Sequence, residues 1–310
     1  MPPLPAINLI TNCAATKRSN IGDPVQLRDY SGTLLQRFGW WRRAIDRQQE
    51  LVPARDCYAG GSWAQVVAAE SSLNGKSKLW AVSAGLGLIP ADLKIPNYSA
   101  TFTSNDPDSV ASDRAGRSDW WDLLVKWGQE KRGIGSVSDL ARANPKAAIL
   151  MAISSTYLEV IKNDLIAAQE SLASRDNLLV ISAGAKPIPE LGTSLLPISA
   201  RFEHLVGGAR TSLNTRMLRF IVEKHGSDCL GATKIAKVIE STAQTLKAPR
   251  TYDRSRLSDK EVSNFIRDHI KRVSSPSASA LLRLLRDRGL ACERKRFGRI
   301  FQIIQSNLRK

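Results

Sequence analysis

Four apolar runs in this 310-residue chain end in small or hydroxylic residues, and two of those ends carry a lysine. The run over 7–11 leads into Asn12-Cys13-Ala14-Ala15-Thr16-Lys17, and that over 78–82 into Ser83-Ala84-Gly85. The run over 147–153 leads into Ser154-Ser155, and that over 177–181 into Ser182-Ala183-Gly184-Ala185-Lys186. Hydroxyls, unpaired backbone N–H groups and a nearby ammonium suit the oxygens of a phosphate or a sugar. Any one such end is explained as well by a tight turn. Four alike point to a shared cleft.

A second constellation is basic. Residues 211–310 hold 22 Lys and Arg against 9 Asp and Glu, a net charge of +13 within a chain total of +16. The rest of the chain is nearly neutral. A basic block joined to a neutral body suits a polyanion, with a soluble face or an acidic membrane as the plainer accounts.

These residues need elements to position them. Continuous apolar runs of five or so residues suit strands buried on both faces. Helical patterns over 63–70, 118–128, 138–143 and 156–173 alternate with them, which predicts a mostly parallel central sheet flanked by helices. Ligands of such sheets bind beyond the strands' carboxyl ends, where the small residues fall. The chain divides at 205/206 on this reading, into an α/β body (1–205) and a basic helical domain (206–310). In the latter, helices are expected over 212–225, 231–239, 258–273 and 279–288, with Ser258-Asp259-Lys260-Glu261 as a capping box. Strands over 290–293 and 299–304 would then form a basic hairpin, the order of a winged helix. Arg283, Arg286, Arg288, Arg294, Lys295, Arg296 and Arg299 are placed to meet DNA.

Several classes are set aside. No apolar run is long enough to span a membrane, and the N-terminus lacks the pattern of a signal peptide, so a cytoplasmic protein is expected. Cys13, Cys57, Cys229 and Cys292 are scattered, as are the three histidines. No metal site and no cofactor is expected. GxGxxG, GxxxxGK[ST] and GxSxG are all missing, which disfavours nicotinamide, P-loop and typical hydrolase chemistry.

Three segments read together carry a resemblance: Asn12-Cys13-Ala14-Ala15-Thr16-Lys17, then Ala54-Arg55-Asp56-Cys57-Tyr58, then Ser83-Ala84-Gly85-Leu86-Gly87-Leu88 followed by Pro96-Asn97-Tyr98. This order resembles a family of small bacterial and phage proteins of the uracil-DNA-glycosylase-like α/β kind. The wider group includes domains of deazaguanine base-exchange systems. Within it the chain is most similar to phage-defence DNA glycosylases that remove glucosylated hydroxymethylcytosine. The resemblance covers residues 7–200 and implies a bacterial cytoplasmic enzyme acting on base-modified DNA, without an obligate protein partner. Two departures stand out. Ser99 follows Tyr98 where the family often has an acid, and 182–187 lacks the histidine of uracil enzymes, which argues against uracil as the base.

Base excision passes through an oxocarbenium-like sugar and needs a flipped nucleotide, a positioned water and nearby negative charge. The resemblance implies that Asn12 orients the water, unless it only closes a turn. Asp56 is the first candidate carboxylate, with an ion pair to Arg55 as its alternative. Asp92, with an exposed loop acid or a cap as its alternative, is a further candidate, as is Glu159, which faces the third strand end if 156–173 is helical. Tyr58 and Tyr98 would stack on or bond the base, or else fill the core. Lys17 and Lys186 would meet phosphates. Cys13, Ser83, Gly85, Ser154 and Ser182 would line the substrate site. A base-exchange transglycosylase and a non-catalytic DNA-binding regulator remain the rival readings.

Overall fold

The computed structural model describes residues 7–18, 22–226, 231–247, 253–270 and 277–308. It divides into two compact units, Met1–Lys247 and Ala248–Lys310. The division thus falls about forty residues later than the sequence suggests. The helices Leu213–His225 and Ala232–Thr245 belong to the first unit, because Met217, Leu218, Ile221, Ile235 and Ile239 are buried in its core. Basic residues on their outer faces concealed this membership.

The first unit is α/β. Its six-stranded sheet runs in the order Leu195–Ile198, Leu178–Ala183, Ala148–Ala152, Ile7–Asn12, Ser77–Ser83, Gly87–Pro90. All neighbours are parallel except the last strand, which turns back against Ser77–Ser83. The four central strands are almost wholly apolar and buried on both faces, as a parallel sheet between helices requires. Each fully buried Ile or Leu there contributes about 1.5–3 kcal/mol of transfer free energy. The register places Ile7 beside Ser77 and Ala148, and Ala152 beside Ile181. Asn12, Ser83, Ser154 and Ser182 are thereby brought to one edge of the sheet.

Helix boundaries follow capping chemistry more than apolar periodicity. The helix Arg114–Arg132 starts before the expected Ser118, because Asp113 caps it by accepting from Gly116 N at 2.8 Å. It ends at Gly133, whose φ of +74° is a left-handed C-terminal turn. The expected 156–173 helix is two helices, Ser155–Val160 and Lys162–Ser171, separated at Ile161. The Ser258 capping box is present, with Glu261 N donating to Ser258 Oγ at 3.3 Å and Ser258 N to Glu261 Oε2 at 2.7 Å.

The second unit packs the helices Asp259–Ile270, Ala278–Asp287 and Arg294–Leu308 around Val262, Ile266, Leu281, Leu285, Phe297 and Phe301. Two short strands, Ser255–Arg256 and Leu290–Ala291, pair in parallel. The expected basic hairpin is not formed: 294–304 lies within one helix. Phe297, Ile300, Phe301 and Ile304 are buried at spacings of three and four, a helical stripe that a window opened at Arg299 reads as a strand.

Candidate functional site

The carboxyl edge of the sheet is organised around Ser83 and Tyr98. Tyr98 Oη lies 2.6 Å from Ser83 Oγ and 2.5 Å from Tyr58 Oη. Ser83 Oγ in turn accepts from Gly85 N at 3.1 Å and Leu86 N at 3.0 Å, which fixes the turn after its strand. Two tryptophans pin that turn from outside. Trp41 Nε1 donates to Gly85 O at 2.7 Å and Trp120 Nε1 to Ala84 O at 2.8 Å. Gly85 leaves no room for a side chain: an added Cβ would sit 2.7 Å from the Tyr98 ring and 3.0 Å from Trp41.

Tyr58 and Tyr98 are each 1% exposed and meet Trp63 and Trp41 edge-on. Their rings are therefore core, and neither offers a free face for a stacked base. Burial holds both phenols neutral by raising their pKa well above the usual value. Lys17 closes the cluster from above. Its Nζ lies 4.4 Å from the Tyr98 ring centre and 5.8 Å from that of Tyr58, a cation–π contact. Burial lowers the lysine's pKa, with Cys13, Cys57 and Asp108 partly restoring it. The Lys17 segment is held by a bridge to Tyr58 and by Ala59 N donating to Thr16 O at 3.0 Å.

Asn12 is a clamp between strands. Its Oδ1 accepts from Ser154 N at 3.2 Å and its Nδ2 donates to Cys13 O at 3.2 Å. Ser154 caps the Ser155–Val160 helix, and its hydroxyl accepts from Tyr157 N. Cys13 is buried, with Sγ 3.5 Å from Tyr157 Oη. Ser182 is fully buried and its hydroxyl has no protein partner. Asn214, which the sequence reading passed over, ties two strand ends together. It accepts from Ala183 N at 2.6 Å and donates to Ile153 O at 2.8 Å.

The three candidate carboxylates part company. Asp56 is exposed and lines a cavity of about 480 Å³ with Arg18, Tyr58, Gly60 and Trp63. It does not pair with Arg55, whose guanidinium binds Glu70 at 2.6 and 3.1 Å. Glu159 is exposed and borders a second cavity, about 270 Å³, with Arg114, Ser155, Lys162 and Lys186. Asp92 belongs elsewhere. It reaches Lys78, at the start of its strand, at 3.9 Å, and so sits at the sheet's amino edge. Its carboxylate is remote from the strand ends that would hold a substrate, and the loop after Gly87–Pro90 puts it there because that strand runs antiparallel.

One acid was missed. Asp108 is 1% exposed and accepts from Arg28 N at 3.0 Å, the Arg28 guanidinium, and Ser99 Oγ at 2.7 Å. Burial pushes its pKa up, but these bonds outweigh burial and hold it below the ordinary value. Ser99, the residue standing where the resembled family has an acid, thus presents one through its hydroxyl. The sequence signal was weak: Asp106-Pro107-Asp108 reads as a turn, and the turn is present, with Asp108 N donating to Asp106 Oδ1 at 2.9 Å.

In the second unit Arg283, Arg288, Arg294 and Arg299 are exposed. Arg286 donates to Cys292 O at 3.4 Å, and Arg296 is held by Asp259 at 2.5 Å. Those two are partly committed to the fold. The side chain of Lys295, like residue Cys229, lies outside what is described. Among the described residues no group of three His, Cys, Asp or Glu is placed to hold a metal ion, and no helix is long and apolar enough to cross a membrane. No protein-family model, curated protein or solved structure matches the chain.

Proposed function

We propose that the chain is a DNA glycosylase of the uracil-DNA-glycosylase-like kind, which cleaves the N-glycosidic bond of a modified base and leaves an abasic site. The observation that carries this reading is the joining of Lys17, the Ser83–Tyr98–Tyr58 hydroxyl chain and the Asp56 cavity at the carboxyl edge of a parallel sheet. In this reading Asp56 faces the developing positive charge of the sugar, and Arg18 on the same cavity meets a flanking phosphate. Lys17 does not line this cavity; its ammonium, buried behind Tyr58, adds positive charge toward a departing base. The Tyr58 and Tyr98 rings hold Lys17 in place, and Ser83 holds Tyr98. The net charge of +16 supplies the attraction to DNA. Glucosylated hydroxymethylcytosine is the base that the sequence resemblance suggests.

The test is to incubate the protein with DNA carrying plain, hydroxymethylated, glucosylated or deaminated cytosine and then treat with alkali. Strand breaks at one modified base, lost in Asp56→Asn and Lys17→Met, support the reading. Intact DNA throughout, with binding retained, overturns it.

One observation favours a second reading, a DNA-binding regulator without catalysis. Tyr58, Tyr98 and Tyr157 are packed shut, and both polar atoms of the Asn12 amide are used within the fold. A regulator predicts that Asp56→Asn leaves every DNA-linked property unchanged.

A further inference from the structure

The cavity of about 270 Å³ that Glu159 borders is lined largely by charge. Its walls come from the start of the helix Arg114–Arg132, from the helices Ser155–Val160 and Lys162–Ser171, and from the turn that follows the strand Leu178–Ala183. It thus lies beyond the carboxyl end of a parallel strand, where sheets of this kind bind their ligands. Arg114, Lys162 and Lys186 line it, and Glu159 is its single acid. Three cations against one acid leave a net charge of +2.

The fold spends little of this charge. Arg114, Glu159 and Lys186 are exposed, and their side chains make no hydrogen bond or ion pair among the described residues. Lys162 has only a loose contact with Glu190 at 4.0 Å. Other surface cations are matched by acids, as Lys131 is by Asp46 at 3.2 Å and Arg42 by Glu130 at 3.1 Å. Arg114 and Lys162 are moreover the first residues of their helices, the end at which the helix dipole disfavours positive charge. Asp113 caps the first of these helices. The acid in the first turn of the second, Asp164, is taken up elsewhere, accepting from Val137 N and Ser138 N at 2.9 Å. Three like charges on one concavity are unfavourable by themselves, and an anion held among them removes the cost.

We propose that this cavity binds a sugar carrying a phosphate monoester, with the phosphate on Arg114, Lys162 and Lys186 and a sugar hydroxyl donating to Glu159. A phosphate monoester carries about 1.5 to 2 negative charges at neutral pH and balances the site, which the single charge of a backbone phosphodiester does not. The carboxylate of Glu159 repels phosphate oxygens and accepts from a hydroxyl, so it sets which end of the ligand lies beside it. Pro187 and Ile188 give the sugar ring an apolar wall. The volume lies just below the usual range of small-molecule sites, enough for a phosphate and one sugar ring. Such a group comes from a free sugar phosphate or from the phosphorylated 5′ end of a DNA strand. The cavity shares no residue with the Asp56 cavity, and the proposal does not rest on the glycosylase reading.

The experiment titrates the full chain by calorimetry with ribose 5-phosphate, neutral ribose and sulfate in one buffer. Saturable binding of ribose 5-phosphate with Kd below about 1 mM is expected, about tenfold tighter than sulfate, with ribose not bound. Arg114→Gln and Lys186→Gln, at exposed positions outside the core, should each weaken it about tenfold. Glu159→Ala should leave sulfate bound at least as tightly and cancel the preference for the sugar phosphate. Competition with a short single-stranded oligonucleotide, with and without a 5′ phosphate, separates the sources. Displacement by the phosphorylated strand alone assigns a DNA end, and displacement by neither assigns a free sugar phosphate. Equal displacement by both strands overturns the proposal, because a diester then suffices. So do ribose 5-phosphate binding no tighter than sulfate, unchanged affinity in Arg114→Gln or Lys186→Gln, and no saturable binding at about 10 mM.

Discussion

Removing one oxygen from the centre of the strand-end cluster, by Tyr98→Phe, probes the arrangement without changing its shape. The ring stays, so no cavity forms and the cation–π contact of Lys17 is kept. What is lost is the hydroxyl shared by Tyr58 at 2.5 Å and Ser83 at 2.6 Å. Each net hydrogen bond is worth about 1 kcal/mol, and each buried group left unpartnered costs about 1–3 kcal/mol. Ser83 keeps its two backbone donors, Gly85 N and Leu86 N, and its hydroxyl is the partner left to Tyr58, so the Tyr58 hydroxyl is the group left worst bonded. The expected loss is about 2–4 kcal/mol, a fall of roughly 5–12 °C in melting temperature for a unit of this size. Tyr58→Phe removes only one of these bonds and leaves Tyr98 on Ser83, so it should cost about 1 kcal/mol. The double variant should cost less than the sum, with a coupling energy of about 1 kcal/mol, because the Tyr58–Tyr98 bond is already gone once Tyr98 has lost its hydroxyl. Urea unfolding monitored by circular dichroism gives all three values. Because burial raises both phenol pKa values, the folded protein keeps them neutral, and the Tyr98→Phe penalty should be constant from pH 6 to 9. Stability from these phenols declines only above about pH 10, where tyrosines ionise in the unfolded chain and cannot in the fold. Equal losses for the two single variants, or full additivity in the double, would refute the shared-hydroxyl account.

Four further outcomes are expected. Gly85→Ala forces a methyl into the Tyr98 and Trp41 rings and should destabilise by about 1–3 kcal/mol, read by thermal melting. The depressed pKa of Asp108 contributes stability that is present above about pH 4 and lost as pH falls through its folded value, so Asp108→Asn should flatten acid unfolding in that range. If the second unit meets DNA phosphates, Arg283→Ala and Arg299→Ala should each lower the slope of log affinity against log salt by about 0.9, measured by fluorescence anisotropy. Asp92→Asn should leave base release at the wild-type rate in the alkali assay, since Asp92 stands at the amino edge of the sheet.

Much of the first unit was legible in the sequence because parallel strands announce themselves. A run such as Ala147-Ala148-Ile149-Leu150-Met151-Ala152-Ile153 has no polar face to show solvent, and a strand buried on both faces is its natural fold. The residues at the ends of those runs were legible for the same reason: parallel strands carry their small and hydroxylic ends to one edge. The second unit was less legible. Its last helix was split by a short window, and the charge of Leu213–His225 outweighed the apolar stripe that seats it in the first core.

Composition and local pattern by themselves determined the class of fold, the sheet's carboxyl edge as the place to look, and a strongly basic C-terminal third. Only the tertiary structure decided what each side chain does there. Asn12 became a clamp because Ser154 N arrives beside it from 142 residues away. Tyr58 and Tyr98 became supports for Lys17 because tryptophans from two other helices close over their surroundings. Asp92 was carried away by one antiparallel strand, and Asp108 was brought in and held charged by Arg28, 80 residues distant. Local sequence encodes the propensity and face of an element. Which polar groups meet depends on register and on contacts across the whole chain, and those contacts fix burial, charge and reach.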